Sequence, residues 1–177
     1  MTDANSDTTY YVHDTLGRLV RVTDAEGNVT RFALDGLGNL TEETQQSSSG
    51  SQTRSYQYDV EGLLTRATDR AGRYRTFDYD ELHRLRHESW YSAGGGLENT
   101  VTYTYDILHR TIDTADDLSG YGYEYDPLDR LTAEEVNNPG LPEVVLTTGY
   151  GARLDGLRAS LSASIDGTAD FTNTYTY

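Results

Sequence analysis

Four histidines and one acidic loop are the residues whose side chains could do chemistry in this sequence. The imidazoles belong to His13, His83, His87 and His109, and the loop carboxylates belong to Asp113, Asp116 and Asp117. A metal site needs ligands that converge with fixed geometry, and the spacing of these residues predicts no such convergence. Calcium prefers oxygen ligands, but the loop lacks the spacing of a calcium-binding loop, so a solvated acidic run is the favoured interpretation. We therefore predict no metal site.

Nucleophilic catalysis has no stronger candidate. The serines of the stretch 47–51 are not accompanied by a histidine base, which an activated hydroxyl needs. The sequence therefore predicts no catalytic residue, no cofactor and no enzymatic activity.

The composition excludes several classes of partner. The chain has 177 residues, about one domain, with 29 acidic against 14 basic residues and a formal charge of −15. Nucleic acid and anionic membrane both attract basic surfaces, so neither is an expected partner. No apolar run approaches the roughly 18 residues of a membrane helix, so no membrane insertion is expected. Cysteine is absent, which excludes disulfides and thiolate metal sites.

A nine-residue motif recurs along most of the chain and organises it. Six copies align on an aspartate: YVHDTLGRL (11–19), FALDGLGNL (32–40), YQYDVEGLL (56–64), FDYDELHRL (77–85), YTYDILHRT (103–111) and YEYDPLDRL (123–131). A seventh, YGARLDGLR (150–158), is degenerate, with Arg153 at the aspartate position. The aspartate lies at a fixed distance from the end of the motif, so the length variation falls in the connections, which contain turn signals such as DAEGN (24–28) and DRAGR (69–73). Each repeat therefore predicts two strands, joined by a rigid turn at one end and a tolerant loop at the other.

The residue three positions after the aspartate indicates the type of turn. Glycine, His, Asp and Asn tolerate the left-handed backbone conformation, and only such residues occupy this position. A type I turn followed by a left-handed residue in a G1 bulge is therefore expected, with the aspartate bonding the amides of its own turn. The predicted turn residues are Asp14 with Gly17, Asp35 with Gly38, Asp59 with Gly62, Asp80 with His83, Asp106 with His109, and Asp126 with Asp129.

This turn predicts the pairing of the two strands. Tyr58 should oppose Leu64, and Tyr56 should oppose Arg66. One face of each hairpin would then carry aromatic residues and leucine, and the other an Asp–Arg pair, as in Asp14–Arg18, Asp80–Arg84, Asp106–Arg110 and Asp126–Arg130. We expect the aromatic face to be buried. Its tyrosines are Tyr11, Tyr56, Tyr58, Tyr79, Tyr103, Tyr105, Tyr123 and Tyr125.

The predicted fold is all-β: antiparallel hairpin repeats in a curved, open meander of about 14 strands, with little or no helix. Residues 1–9 are expected to be a flexible segment. Residues 10–177 would form seven hairpin repeats, the last degenerate, with the chain ending inside the next repeat.

The repeated Y-x-Y-D-x-x-G-R-L pattern resembles the YD repeat of the Rhs and teneurin family, over residues 11–177. The resemblance implies a structural segment of a spiralling β-hairpin shell, which in bacterial members encloses a C-terminal toxin and in animal members mediates surface contact. It also implies secretion or surface display, with the remaining repeats and an enclosed toxin segment as partners. The self-cleaving region that closes bacterial shells has no match. Pro127, in the stretch DPLDR, fits an ordinary type I turn.

Two alternatives remain beside the shell. The chain could be a surface module whose tyrosines stack on carbohydrate, or an adhesive repeat that assembles edge to edge. The segment FTNTYTY (171–177) alternates aromatic and polar residues without charge or proline, which favours edge-to-edge self-association of the isolated chain as salt rises.

Overall fold

The computed structural model describes residues 8–151 and 157–176, and the regular structure in these ranges is entirely β-strand. The strands are β1 (Tyr10–His13), β2 (Leu19–Thr23), β3 (Val29–Leu34), β4 (Leu40–Ser47), β5 (Gly50–Tyr58), β6 (Leu64–Thr68), β7 (Tyr74–Tyr79), β8 (Leu85–Tyr91), β9 (Leu97–Tyr105), β10 (Thr111–Ala115), β11 (Gly120–Tyr125), β12 (Leu131–Asn137), β13 (Val144–Tyr150), β14 (Arg158–Ile165) and β15 (Thr168–Thr174). Within the described ranges there is no helix with the length and apolar character of a membrane span.

The strands follow one another in chain order in one antiparallel meander, which confirms the predicted fold class. Each repeat supplies two consecutive strands, and β15 follows the seventh pair, giving 15 strands where about 14 were expected. The seventh repeat forms the hairpin β13–β14, but Arg153 and Gly156, as well as residues 1–7 of the expected flexible segment, lie outside the described residues. The chain divides into two compact units: one runs to Arg84 and includes Glu88–Glu98, and the other comprises Leu85–His87 and the residues from Asn99 on.

The turns within the repeats have the G1-bulge geometry. In the third repeat the amide of Gly62 donates to the carbonyl of Asp59 at 3.2 Å, and the amide of Asp59 donates to the carbonyl of Leu63 at 3.0 Å. The residue three after the aspartate has positive φ in all six repeats: Gly17 79°, Gly38 95°, Gly62 86°, His83 61°, His109 66° and Asp129 62°. The non-glycine members are of the types that tolerate this conformation best.

The strand register differs from the prediction after the first residue pair. Tyr58 opposes Leu64 as expected, but Tyr56 opposes Ala67 and not Arg66, because a β-bulge leaves Thr65 without a partner. The same shift occurs in six hairpins, at equivalent positions. The hydroxyl of Thr65 donates to the carbonyl of Gln57 at 3.2 Å. The bulge moves Arg66 away from the tyrosine face and brings Ala67 onto it.

Two of the connections between repeats are not the tolerant loops that were predicted. In the turns that begin at Asp24 and Asp69, the aspartate bonds its turn as the motif aspartates do, and Gly27 and Gly72 have positive φ. The sequence carries the signal, since DAEGN and DRAGR repeat the D-x-x-G spacing of the motif. A third turn, between β14 and β15, uses Asp166 and Gly167, both with positive φ, in a two-residue hairpin.

Burial is partial throughout the described chain. Ala163, with 7% of its surface exposed, is the most buried of the described residues, and no described side chain is fully buried. Seven of the eight predicted core tyrosines are half-buried, whereas Tyr11 is 50% exposed. The turn tips leave aliphatic side chains in solvent, including Leu16, Leu37, Val60 and Ile107. Hydrogen bonds within and between turns therefore have an unusually large share in defining this fold.

Replacing His83 with valine should lower the free energy of unfolding by about 1 kcal/mol or more, because a β-branched residue fits a φ of 61° badly. Replacing it with glycine should be neutral or stabilising. Urea denaturation of the three proteins measures both differences. A valine variant as stable as the parent would contradict the role of the left-handed residue.

Candidate functional site

The motif aspartate uses both carboxylate oxygens inside its own turn. In the fourth repeat Oδ1 of Asp80 accepts the amides of Leu82 at 2.9 Å and Arg84 at 3.0 Å. The same pair of amide bonds, to the second and fourth residues after the aspartate, is present in the other five repeats, at Asp14, Asp35, Asp59, Asp106 and Asp126. The carboxylate thereby supplies acceptors for amides that have no strand partner.

The second carboxylate oxygen, Oδ2, accepts hydrogen bonds from the side chain of the residue four positions after the aspartate in five of the six repeats. Nε of Arg84 donates to Oδ2 of Asp80 at 2.7 Å, and Nη2 lies 2.7 Å from the same oxygen. The other predicted pairs, Asp14–Arg18, Asp106–Arg110 and Asp126–Arg130, are also present. Asn39 replaces the arginine in the second repeat, where its amide donates to Oδ2 of Asp35 at 3.0 Å.

These bonds favour the ionised form of the carboxylates. The side-chain hydrogen bond from Arg84, followed by the backbone amide of the same residue, lowers the pKa of Asp80 from 3.8 to about 2. The pKa of Asp126 is lowered chiefly by the side chain of Arg130, and that of Asp35 by the side chain of Asn39. The turns are therefore charged structural elements at neutral pH.

A tyrosine hydroxyl connects each of the repeats three to seven to the repeat before it. The tyrosine that ends the first strand of the hairpin, and that directly precedes the motif aspartate in repeats three to six, donates to the backbone carbonyl of the last motif residue of the preceding repeat, at 2.8–3.0 Å. The five bonds are Tyr58 to Leu40, Tyr79 to Leu64, Tyr105 to Leu85, Tyr125 to Thr111 and Tyr150 to Leu131. The sequence analysis placed four of these tyrosines, but not Tyr150, on an aromatic face. It did not predict the bonds from their hydroxyls to a carbonyl, although the fixed spacing of the motif was the available signal.

The turn arginines in the second unit also reach the following repeat. Cζ of Arg110 lies 4.7 Å from the centre of the Tyr125 ring, and Nη1 donates to the carbonyl of Asp126 at 3.2 Å and to Oδ1 of Asp129 at 2.9 Å. Arg130 lies 4.3 Å from the ring of Tyr150 in the same way. One guanidinium thus binds its own turn and stacks on the next tyrosine.

The other candidate residues take part in local contacts. Nε2 of His83 lies 3.4 Å from a carboxylate oxygen of Glu61, and Oδ1 of Asp116 accepts the amides of Leu118 and Ser119 in its turn. Over residues 8–151 and 157–176, no three His, Asp or Glu side chains converge as metal ligands.

One carboxylate in the second unit has the opposite electrostatic environment. The pKa of Glu135 is raised, first by a hydrogen bond with Glu143, and further by burial and by the negative charges of Glu143, Asp113 and Glu124. The Glu135 carboxylate lies beside Gly122 on the neighbouring strand.

Comparison with known proteins identifies the repeats. The RHS Repeat family model matches residues 13–51 and 58–89. These two stretches therefore match RHS repeats, which confirms the YD-type recognition made from the motif. A search of curated proteins finds no match.

Solved structures show the same fold. The crystal structure of a TcdB2-TccC3-Cdc42 protein matches with a TM-score of 0.79 and 20% identity over 95% of this chain. A Tc holotoxin pore from Photorhabdus luminescens, with a substitution in TccC3, matches with a TM-score of 0.79 and 20% identity over 94%. This chain spans 10% of the first of these chains and 9% of the second. The fold is thus that of a segment within much longer chains.

Replacing Tyr125 with phenylalanine should lower the free energy of unfolding by about 1 kcal/mol, because the carbonyl of Thr111 loses its donor while the ring remains. Chemical denaturation measures the change. Tyr121→Phe is the matched control. Tyr121 is an exposed tyrosine of the same strand, and its hydroxyl donates to no carbonyl of the preceding repeat within the described residues. Equal effects in the two variants would argue against the connecting role of the hydroxyl.

Asp80→Asn should destabilise the chain at neutral pH but not at strong acid. The folded-state pKa of Asp80 lies below its unfolded value, so its stabilising effect is complete above about pH 4 and is lost as pH falls towards 2. Urea denaturation at pH 7 and at pH 2 should therefore show a difference between variant and parent that shrinks in acid. Asp117→Asn, the same change at an exposed residue, controls for net charge. A difference that does not depend on pH would contradict the assignment.

Proposed function

We propose that this chain is a non-catalytic structural segment in the wall of an RHS-repeat shell, and that the shell encloses a C-terminal polypeptide such as a toxin. The observation that supports the proposal best is the tyrosine hydroxyl that reaches the preceding repeat at five successive junctions. Such a bond connects neighbouring hairpins through groups of the protein itself and requires no ligand. This suits a scaffold that is built from successive repeats.

The similar solved structures support the same proposal. One of them is TcdB2-TccC3-Cdc42, and another is a Tc holotoxin pore with a substitution in TccC3. This chain corresponds to a small fraction of the length of the matched chains. By analogy, the remaining repeats of a longer polypeptide are the principal partners, and the complete protein is secreted.

Limited proteolysis of the complete parent protein tests the enclosure. With intact repeats, the segment that follows the shell should resist a protease that degrades the same segment when it is produced alone. The double variant Asp80→Asn, Asp106→Asn weakens the turns of two successive repeats. In this variant the protease should cleave the enclosed segment at least several times faster than in the parent protein. Asp117→Asn should retain the protection. Equal cleavage of the enclosed segment in the parent and as a free polypeptide would reject enclosure.

A further inference from the structure

A groove of about 540 Å³ lies on the first unit and takes no part in the turn bonds described above for the motif. Its lining includes Arg54, Tyr56, Arg73, Arg75, Trp90 and Glu98. Trp90 is the single tryptophan of the protein, and 42% of its surface is exposed. An exposed aromatic ring beside three arginines is unusual on a chain with a formal charge of −15.

The three arginines of the groove are ion-paired, and in each pair the arginine side chain is more exposed than the carboxylate side chain. The side chain of Arg75 is 56% exposed and that of Glu88, 3.0 Å away, is 12% exposed. Arg54 is 45% exposed against 20% for Glu43, at 3.8 Å. The arginine side chains are therefore more accessible to a ligand than the carboxylates with which they pair, and the lining holds three guanidinium groups against two carboxylates, those of Asp69 and Glu98.

The geometry points to an acidic peptide as the ligand of this groove: we propose that its carboxylates bind the exposed faces of Arg54, Arg73 and Arg75 while an apolar side chain packs on Trp90. Guanidinium groups bind carboxylates through paired N–H donors and keep unused donors after one ion pair. A neutral saccharide would need acceptors as well as donors. Of the two carboxylates in the lining, that of Asp69 already accepts two amides and the side chain of Arg73, which leaves that of Glu98. The donor-rich lining therefore favours carboxylates.

The contact network gives the groove an internal reporter. Nε1 of Trp90 donates to Oε1 of Glu88 at 2.8 Å, and the same oxygen lies 3.0 Å from Arg75. A carboxylate that binds Arg75 competes with Glu88 and changes the hydrogen bond to the indole. Fluorescence of the single tryptophan therefore reports binding at this groove.

The test titrates the whole chain with a blocked peptide of alternating glutamate and leucine and follows tryptophan emission, with calorimetry as a second measurement. We expect a saturable response that weakens as salt rises, and at least tenfold weaker binding of the same peptide with glutamine in place of glutamate. Arg75→Gln and Arg54→Gln should each weaken binding at least fivefold. Arg21→Gln, the same change on β2 and outside the groove, should bind like the parent.

Three results would overturn the proposal. The first is equal affinity for the glutamate and glutamine peptides, which would mean that the arginines do not recognise charge. The second is binding of an acidic oligosaccharide such as oligogalacturonate in preference to the peptide. The third is no response to either ligand by fluorescence and calorimetry. Circular dichroism of each variant verifies the fold. Arg54→Gln provides the result if Arg75→Gln, which removes the arginine partner of Glu88, fails to fold.

Discussion

Every hairpin tip in the six complete repeats is built around a carboxylate whose hydrogen bonds stay within the turn. Oδ1 of Asp80 accepts two amides, and Oδ2 faces the guanidinium of Arg84. The turn needs these acceptors because its backbone amides have no partner in the neighbouring strand. It also needs a residue in the left-handed conformation, here His83, so that the chain can enter the second strand of the hairpin. The rest of the structure depends on this constraint, since each turn sets the register of the two strands that it joins.

The repeats are held together by contacts that begin at the same turn. From the third repeat on, the tyrosine that ends the first strand of a hairpin donates to a carbonyl at the end of the preceding motif, as Tyr79 does to Leu64. In the second unit, Arg110 and Arg130 add a ring contact in the opposite direction along the chain. A motif of nine residues therefore contains both the hairpin and its connection to the next hairpin. This explains how a chain with little buried surface can form a regular sheet.

Much of this could be predicted from sequence because the turn is a local structure. The aspartate and the left-handed residue three positions later are set by short-range sterics, which residue type reveals directly. The bulge at Thr65 was not predicted, because residue types do not mark it: the equivalent bulge in other hairpins falls on Val20 and Ile112. The groove around Trp90 was also missed, since it gathers residues from strands that lie far apart in sequence. Long-range contacts of this kind leave no fixed spacing in the sequence.

The second repeat departs from the tyrosine pattern in a way that bears on how the sheet comes apart. Leu34 stands where the other hairpins have the donating tyrosine, and the first repeat is connected to it through Arg18, whose Nη1 donates to the carbonyl of Asp35 at 3.1 Å. In a linear array the stability of each unit depends on its nearest neighbours, so loss of structure spreads until it meets a strong junction. Opening of the first hairpin can therefore occur without the others, whereas the junctions from Tyr58 onward resist it. Structure should therefore be lost first at the junction between the first and second hairpins, and not by simultaneous melting of all repeats.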